Sequence, residues 1–244
     1  MKNSFKIIVI TFSIIFFSIS YSFSNEEFNF DITEVEITQE GNQFSGYKRG
    51  IIKTNDGITF IADEFNYNKT SNIFNAKGNV QINDTIKKII IYSDNATYIK
   101  NDGVIYTKGN SKAIDQLQSI IILAENFNYD KKINVINAKK NVEIIDEKKE
   151  TKLIGEDVTY KKNIEKIFSK GNTTIFSKQK YKFYSTNVLF NRNKMEFSSL
   201  DKARVLDNKN NKYEFENFIY NINDELLKAY NISVTTNDIH TSEK

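Results

Sequence analysis

A five-residue pattern recurs about every 31 residues, and no other feature restricts the fold as strongly. It reads Asp63-Glu64-Phe65-Asn66-Tyr67, Asp94-Asn95-Ala96-Thr97-Tyr98, Glu125-Asn126-Phe127-Asn128-Tyr129 and Glu156-Asp157-Val158-Thr159-Tyr160. Weaker copies follow at Thr186-Asn187-Val188-Leu189-Phe190 and Glu216-Asn217-Phe218-Ile219-Tyr220. Self-similarity at fixed spacing marks stacked units, each burying its apolar face against the next.

Within each repeat the apolar positions recur at intervals of two. Four places after the first position stand Tyr67, Tyr98, Tyr129, Tyr160, Phe190 and Tyr220; two places after it stand Phe65, Ala96, Phe127, Val158, Val188 and Phe218. Two places before it come Ile61, Tyr92, Leu123, Ile154 and Tyr184. Alternation of this kind is strand spacing with one buried face. A second strand carries Phe74, Ile105, Ile136, Ile167 and Phe197, then the small residues Ala76, Thr107, Ala138, Ser169, Ser199 and Ala229, then Ile82, Ala113, Ile144, Ile175 and Val205. Lys77, Lys108, Lys139 and Lys170 alternate with these and are expected to face water. Turn residues such as Asn68-Lys69-Thr70-Ser71-Asn72 and Lys100-Asn101-Asp102-Gly103 separate the strands. The pattern predicts about twelve strands from six repeats over residues 62 to 236, and two more within Phe28–Ile52. The small column is expected to keep room in the interior. Apolar residues do not recur at helical spacing.

Residues 1–24 have the form of a secretory signal: Lys2 and Lys6, an apolar run Ile7–Ile19, and Ser22-Phe23-Ser24 before Asn25-Glu26-Glu27. Its removal leaves residues 25–244 as one all-β domain. The formal charge of +3 drops to +1 with Lys2 and Lys6. A near-neutral chain without a basic cluster argues against nucleic acid as a partner. There is no Cys, and His240 is the only histidine, so a metal site built on His and Cys is excluded. No catalytic constellation or phosphate loop is present, and neither an enzyme nor a cofactor is expected.

The repeat unit, seen best in Ala62-Asp63-Glu64-Phe65-Asn66-Tyr67 with Asn75-Ala76-Lys77-Gly78-Asn79-Val80-Gln81-Ile82, resembles the OstA-like family of lipopolysaccharide-transport proteins. Gly109-Asn110, Gly171-Asn172 and Lys140-Asn141-Val142-Glu143-Ile144 repeat its second element. The resemblance covers about Phe28 to Thr236. It implies an open, twisted antiparallel β-jelly roll, two facing sheets with an apolar groove for the acyl chains of lipopolysaccharide. It also implies a periplasmic location in a Gram-negative cell, a role in outer-membrane assembly, and edge-strand addition to other OstA-like proteins or head to tail between copies. Phe28-Asn29-Phe30-Asp31 and Gly50-Ile51-Ile52 are closer to the N-terminal periplasmic domain of the outer-membrane assembly protein than to the bridge protein, and the length of 220 residues after the signal leans the same way.

The groove candidates are Phe65, Tyr67, Phe127, Tyr129, Val158, Phe74, Ile105, Ile136 and Ala138. The acidic column (Asp63, Asp94, Glu125, Glu156, Glu216) has two readings, a cation or headgroup site, or carboxylates that bond backbone N–H groups at a bend. The Lys column reads as a solvated face. The alternative architecture is a secreted structural β-solenoid or adhesin, which would use the same stacking with a continuously filled interior.

Overall fold

The computed structural model describes residues 28–236; the signal-like segment and His240 lie outside the described residues. In chain order the strands are Phe28–Asp31 (β1), Glu36–Thr38 (β2), Gln43–Gly46 (β3), Gly50–Thr54 (β4), Ile58–Ala62 (β5), Glu64–Asn68 (β6), Ile73–Asp84 (β7), Ile89–Ile99 (β8), Val104–Asp115 (β9) and Ile120–Asp130 (β10). They continue as Val135–Asp146 (β11), Thr151–Lys161 (β12), Lys166–Ser177 (β13), Tyr181–Asn191 (β14), Glu196–Ser199 (β15), Ala203–Asp207 (β16), Lys212–Phe215 (β17), Asn217–Asn221 (β18), Leu226–Tyr230 (β19) and Ser233–Thr235 (β20). Short 3-10 turns are the only helical pieces among the described residues, and none could cross a membrane as a helix.

The eight long strands β7–β14 each bend in the middle, so each contributes one half to a front sheet and the other half to a back sheet. The front sheet runs β1-β4-β5, then the bent strands, then β16-β17-β20. The back sheet runs β2-β3-β6, then the same bent strands, then β15-β18-β19. All these pairings are antiparallel, as a jelly roll requires and as the coils of a parallel β-solenoid do not allow. At both ends the strands break at the bend: β5 and β6 part at Asp63, β15 and β16 around Leu200, β17 and β18 at Glu216, and β19 and β20 at Asn231. These breaks, with four rather than two strands in the N-terminal stretch, explain why twenty strands replace the expected fourteen.

The bend is a β-bulge. Between β7 and β8 the register passes from Lys77↔Asn95 to Val80↔Ser93, one residue more on β7 than on β8. Gly78 and Asn79 supply the extra length at φ 76° and 44°. Such torsions suit Gly and are tolerated by Asn. The same register shift recurs between β8 and β9 and from β11 to β14.

The bend also corrects the face assignment of the first strand. Asp94 and Asn95 are consecutive and both exposed, so burial passes from Ile89, Ile91 and Ser93 to Ala96 and Tyr98. Parity therefore changes at the acidic position. The column Ile61, Tyr92, Leu123, Ile154, Tyr184 faces outward, and Phe60, Ile91, Ile122, Leu153 and Phe183 face inward in its place. The expected lysines, Lys77, Lys108, Lys139 and Lys170, are all exposed.

The acidic column lines the outside of the bend. Its carboxylates accept mainly from side-chain amides one strand on, not from the backbone. Asn79 Nδ2 donates to Asp63 at 2.7 Å, Asn110 to Asp94 at 2.9 Å, Asn141 to Glu125 at 2.9 Å and Asn231 to Glu216 at 2.8 Å. These four asparagines all have positive φ, so the carboxylate ladder holds the bulge in its left-handed torsion.

Two glycines separate torsion from contact. A Cβ on Gly109 (φ 84°) would fall 2.4 Å from Asp94 Oδ2, whereas one on Gly171 (φ 75°) would meet nothing within 4 Å. Gly171→Ala is expected to destabilise by about 1 kcal/mol through torsion alone, and Gly109→Ala by more, since it also displaces the carboxylate that holds Asn110. Urea denaturation of the two variants side by side checks the order.

Candidate functional site: an apolar interior and a polar seam

One apolar cluster fills the space between the sheets from Phe28 in β1 to Ile222 after β18. All nine groove candidates belong to it and all are buried. Cross-strand register brings Ile105, Tyr129 and Ile136 into one row of the back sheet, and Phe127, Ala138 and Val158 into the next. Phe74 lies opposite Tyr67, and Phe65 opposite Ala76. Every candidate is thus on the back sheet. The facing wall joins Ile82, Ile144 and Ile175, which the second-strand column already placed inward, to Phe60, Ile91, Ile122, Leu153 and Phe183, which the parity change at the bend concealed.

The interior grades from aromatic to aliphatic and back. Phe28, Phe60, Phe65, Tyr67 and Phe74 pack together at the N-terminal end, with Phe28 and Tyr67 centroids 4.2 Å apart. Phe183, Phe190, Phe197, Phe218 and Tyr220 stack at the other end. Ile and Val dominate between them. The small column sits beside the bend, where the halves of each strand converge. There Thr107 and Ser111 hydroxyls lie 2.9 Å apart, and Ser169 and Thr173 2.7 Å apart. Small side chains are required by this approach; they do not hold space open.

Opposite the bend, where the two sheets would otherwise part, two rows of turns meet along a mouth. A ladder of polar contacts joins them. Asp84 closes its own turn by accepting from the Ile86 and Lys87 amides with Oδ1, and accepts from Tyr129 OH across the mouth with Oδ2 at 3.1 Å. Asp115 does the same with Leu117, Gln118 and, at 2.9 Å, Tyr160 OH. Lys162 Nζ adds a 2.8 Å ion pair to Asp115. At the next rung Phe190 has no hydroxyl. Arg192, two residues on, takes its place: Nε lies 2.6 Å from Asp146 Oδ2 and Nη1 3.0 Å from Glu165. Asp146 and Arg192 are 1 % and 0 % exposed. Toward the N-terminal end Asp56 accepts from Tyr98 OH at 2.6 Å and from Lys131 Nζ at 2.7 Å.

This seam escaped the sequence reading, although its signal was present. Asp84, Asp115, Asp146, Ser177 and Asp207 stand 31 or 30 apart, as do Lys100, Lys131, Lys162, Arg192 and Ile222. The partners lie 42 to 46 residues apart, about one and a half repeats, so no comparison of neighbouring copies would align them. Among the described residues no group of His, Cys, Asp and Glu could hold a metal ion.

A bent, open-edged antiparallel jelly roll with an apolar interior is the class that this geometry defines. Among solved structures the chain is similar to LptH, described as the LptA-homologous periplasmic component of the lipopolysaccharide transport device of Pseudomonas aeruginosa. The two share 22 % identity at a TM-score of 0.45, over 51 % of this chain and 99 % of that one. No family model and no curated protein matches the chain.

Seam chemistry sets the pH range of the fold. Burial pushes the Asp56 carboxyl up, but hydrogen bonds from Lys131 and Tyr98 and the Lys131 charge together hold it at about 2. A depressed carboxyl contributes stability above its unfolded value of 3.8 and loses it as pH falls toward 2. Burial, then the charges of Asp84 and Asp115, push the Tyr129 and Tyr160 hydroxyls above their ordinary 10.0. Their contribution is complete below that pH and declines above it, as the unfolded chain begins to ionise. Urea midpoints between about pH 9 and 11 are expected to fall less steeply in the Tyr129→Phe, Tyr160→Phe double variant.

Charge pairing is tested separately. Arg192→Met leaves Asp146 buried and uncompensated, with an expected loss of about 3–5 kcal/mol. Asp146→Ser with Arg192→Ile, which copies Ser177 and Ile222 of the following repeat, is expected to lose less than that single change. Denaturation of both variants decides it.

Proposed function

We propose that this chain is a periplasmic lipid-carrying module. It holds the acyl chains of lipopolysaccharide between its sheets and passes them toward the outer membrane by joining similar domains edge to edge. The unbroken apolar interior, which runs across all six repeats between two sets of unpaired strand edges, is the observation that carries this reading.

The energetics favour it. Each methylene taken out of water is worth roughly 0.8 kcal/mol, so a chain of about a dozen gains roughly 10 kcal/mol. Because the interior is filled, a lipid has to spread the sheets and replace side-chain contacts with its own. The bend works as the hinge for that motion, since the bent strands join the sheets along that side while separate turns meet at the mouth. β1 and β2 at one end and β19 and β20 at the other each pair on one side only. Ile37, Tyr230 and Val234 are exposed there. Unpaired edges of this kind are templates for strand addition. The repeat's resemblance to lipopolysaccharide-transport proteins and the similar periplasmic structure agree with this reading.

Photo-crosslinking residues at Phe65, Phe127 and Ile136 are expected to capture lipopolysaccharide, and residues at Lys139 and Lys170, on the outer face, are not. Equal labelling of both sets would overturn the reading. Because Ala138 is buried and packed, Ala138→Leu is expected to destabilise by about 1–3 kcal/mol through overpacking and to reduce capture at the neighbouring positions.

A further inference from the structure

We infer that the acyl chain enters the interior through the seam at the Ser177–Tyr220 rung, toward its C-terminal end; this rests on the lipid-carrying function proposed above. Four rungs stand in matching positions. At the first three, Asp84 meets Tyr129, Asp115 meets Tyr160 and Lys162, and Asp146 meets Arg192. At the fourth, the acid is replaced by Ser177 and the base by Ile222, so the buried acid of the seam is gone. Tyr220 holds the place of Tyr129 and Tyr160 in the aromatic column, but neither its hydroxyl nor that of Ser177 has a hydrogen-bond partner, and both are buried. A buried polar group without a partner favours any opening that lets water or a ligand reach it.

Beyond this rung the next acid of the column does not reach across: Asp207 spends both oxygens on its own hairpin, accepting from Lys209, Asn211 and Tyr213. At the rung itself the ion pairs lie at the rim, where Lys178 and Lys180 reach Glu225 and all three groups are partly exposed. Screened pairs of this kind part without leaving a buried charge, and the freed lysines suit an anionic headgroup at the rim. Inside stand the rings of Phe218 and Tyr220, one stacked on Phe183 at 5.5 Å and the other tilted against it at 4.8 Å, ready to line an alkyl chain. The other end of the seam also has a buried oxygen without a partner, Asp56 Oδ1, but there Oδ2 of the same carboxylate holds both Tyr98 and Lys131.

Two measurements test the inference. The amides of Lys162, Arg192 and Ile222 each donate to a carbonyl one repeat back, at 3.1, 3.0 and 2.8 Å. Without lipid, hydrogen exchange at Ile222 is expected to be at least about tenfold faster than at the other two. Ser177→Asp with Ile222→Lys rebuilds the rung and is expected to remove most of that difference, which fraying of the chain end would not. Equal protection in the wild type overturns the inference whether or not lipid binds. The association rate of fluorescently labelled lipid A is then expected to fall about tenfold in the double variant. Ser177→Asn, which gives Tyr220 a neutral partner, is expected to slow it in the same direction and serves if the double variant fails to fold. Uptake at an unchanged rate in a folded variant overturns the point of admission. No uptake by the wild type overturns the lipid reading itself.

Discussion

The mid-strand bend is the constraint from which the rest of this structure follows. A twelve-residue strand left straight would build one broad sheet with a single buried face and no partner for it. Alternate strands, β7, β9, β11 and β13, insert a residue at the centre with left-handed torsion and their neighbours bend with them, so that each strand folds its two halves against each other and supplies both walls of its own core. The Gly and Asn residues make the torsion accessible, and the carboxylate ladder outside the bend holds it. Repetition then turns a local irregularity into a continuous hinge. The parity change of the inward face, the small residues at the apex and the meeting of the turns are all consequences of that inserted residue.

The two margins of the folded sheet are held by different physics. At the hinge the chain itself is continuous, and exposed amide–carboxylate bonds only bias its torsion. At the mouth no covalent link exists, so closure depends on buried hydrogen bonds and ion pairs whose desolvation offsets much of their attraction. Such contacts are weak as net stabilisers and strict as to geometry. They therefore fix the register in which the margin closes, and the loss of both acid and base at a single rung makes the margin uneven along its length.

Much of the architecture could be read from residue order. The aromatic column and the second-strand column were buried as their spacing of two required, and the lysines between them were exposed. Reading failed where spacing of two fails. Ile61, Tyr92 and Leu123 are as apolar as Phe60, Ile91 and Ile122, and nothing local says which row turns inward once two consecutive residues face out. The seam was hidden for another reason: Asp115 and Tyr160 belong to different repeats and different turns, and only the folding of one sheet onto the other makes them neighbours. The exchange of Tyr for Phe190 beside the exchange of Lys for Arg192 was its most legible trace, since an arginine on an otherwise lysine column needs a reason.

The offset of one and a half repeats between seam partners also governs how such a chain can change length. Duplicating or deleting a whole repeat moves every acid and every tyrosine together, so the remaining rungs still meet. A half-repeat change would set acids against acids. Each whole repeat contributes two strands, spaced about 4.8 Å apart, and so extends the enclosed space by about 10 Å while adding one rung. The sheet is thus a ruler graduated in fixed steps, able to lengthen without redesign of its interior.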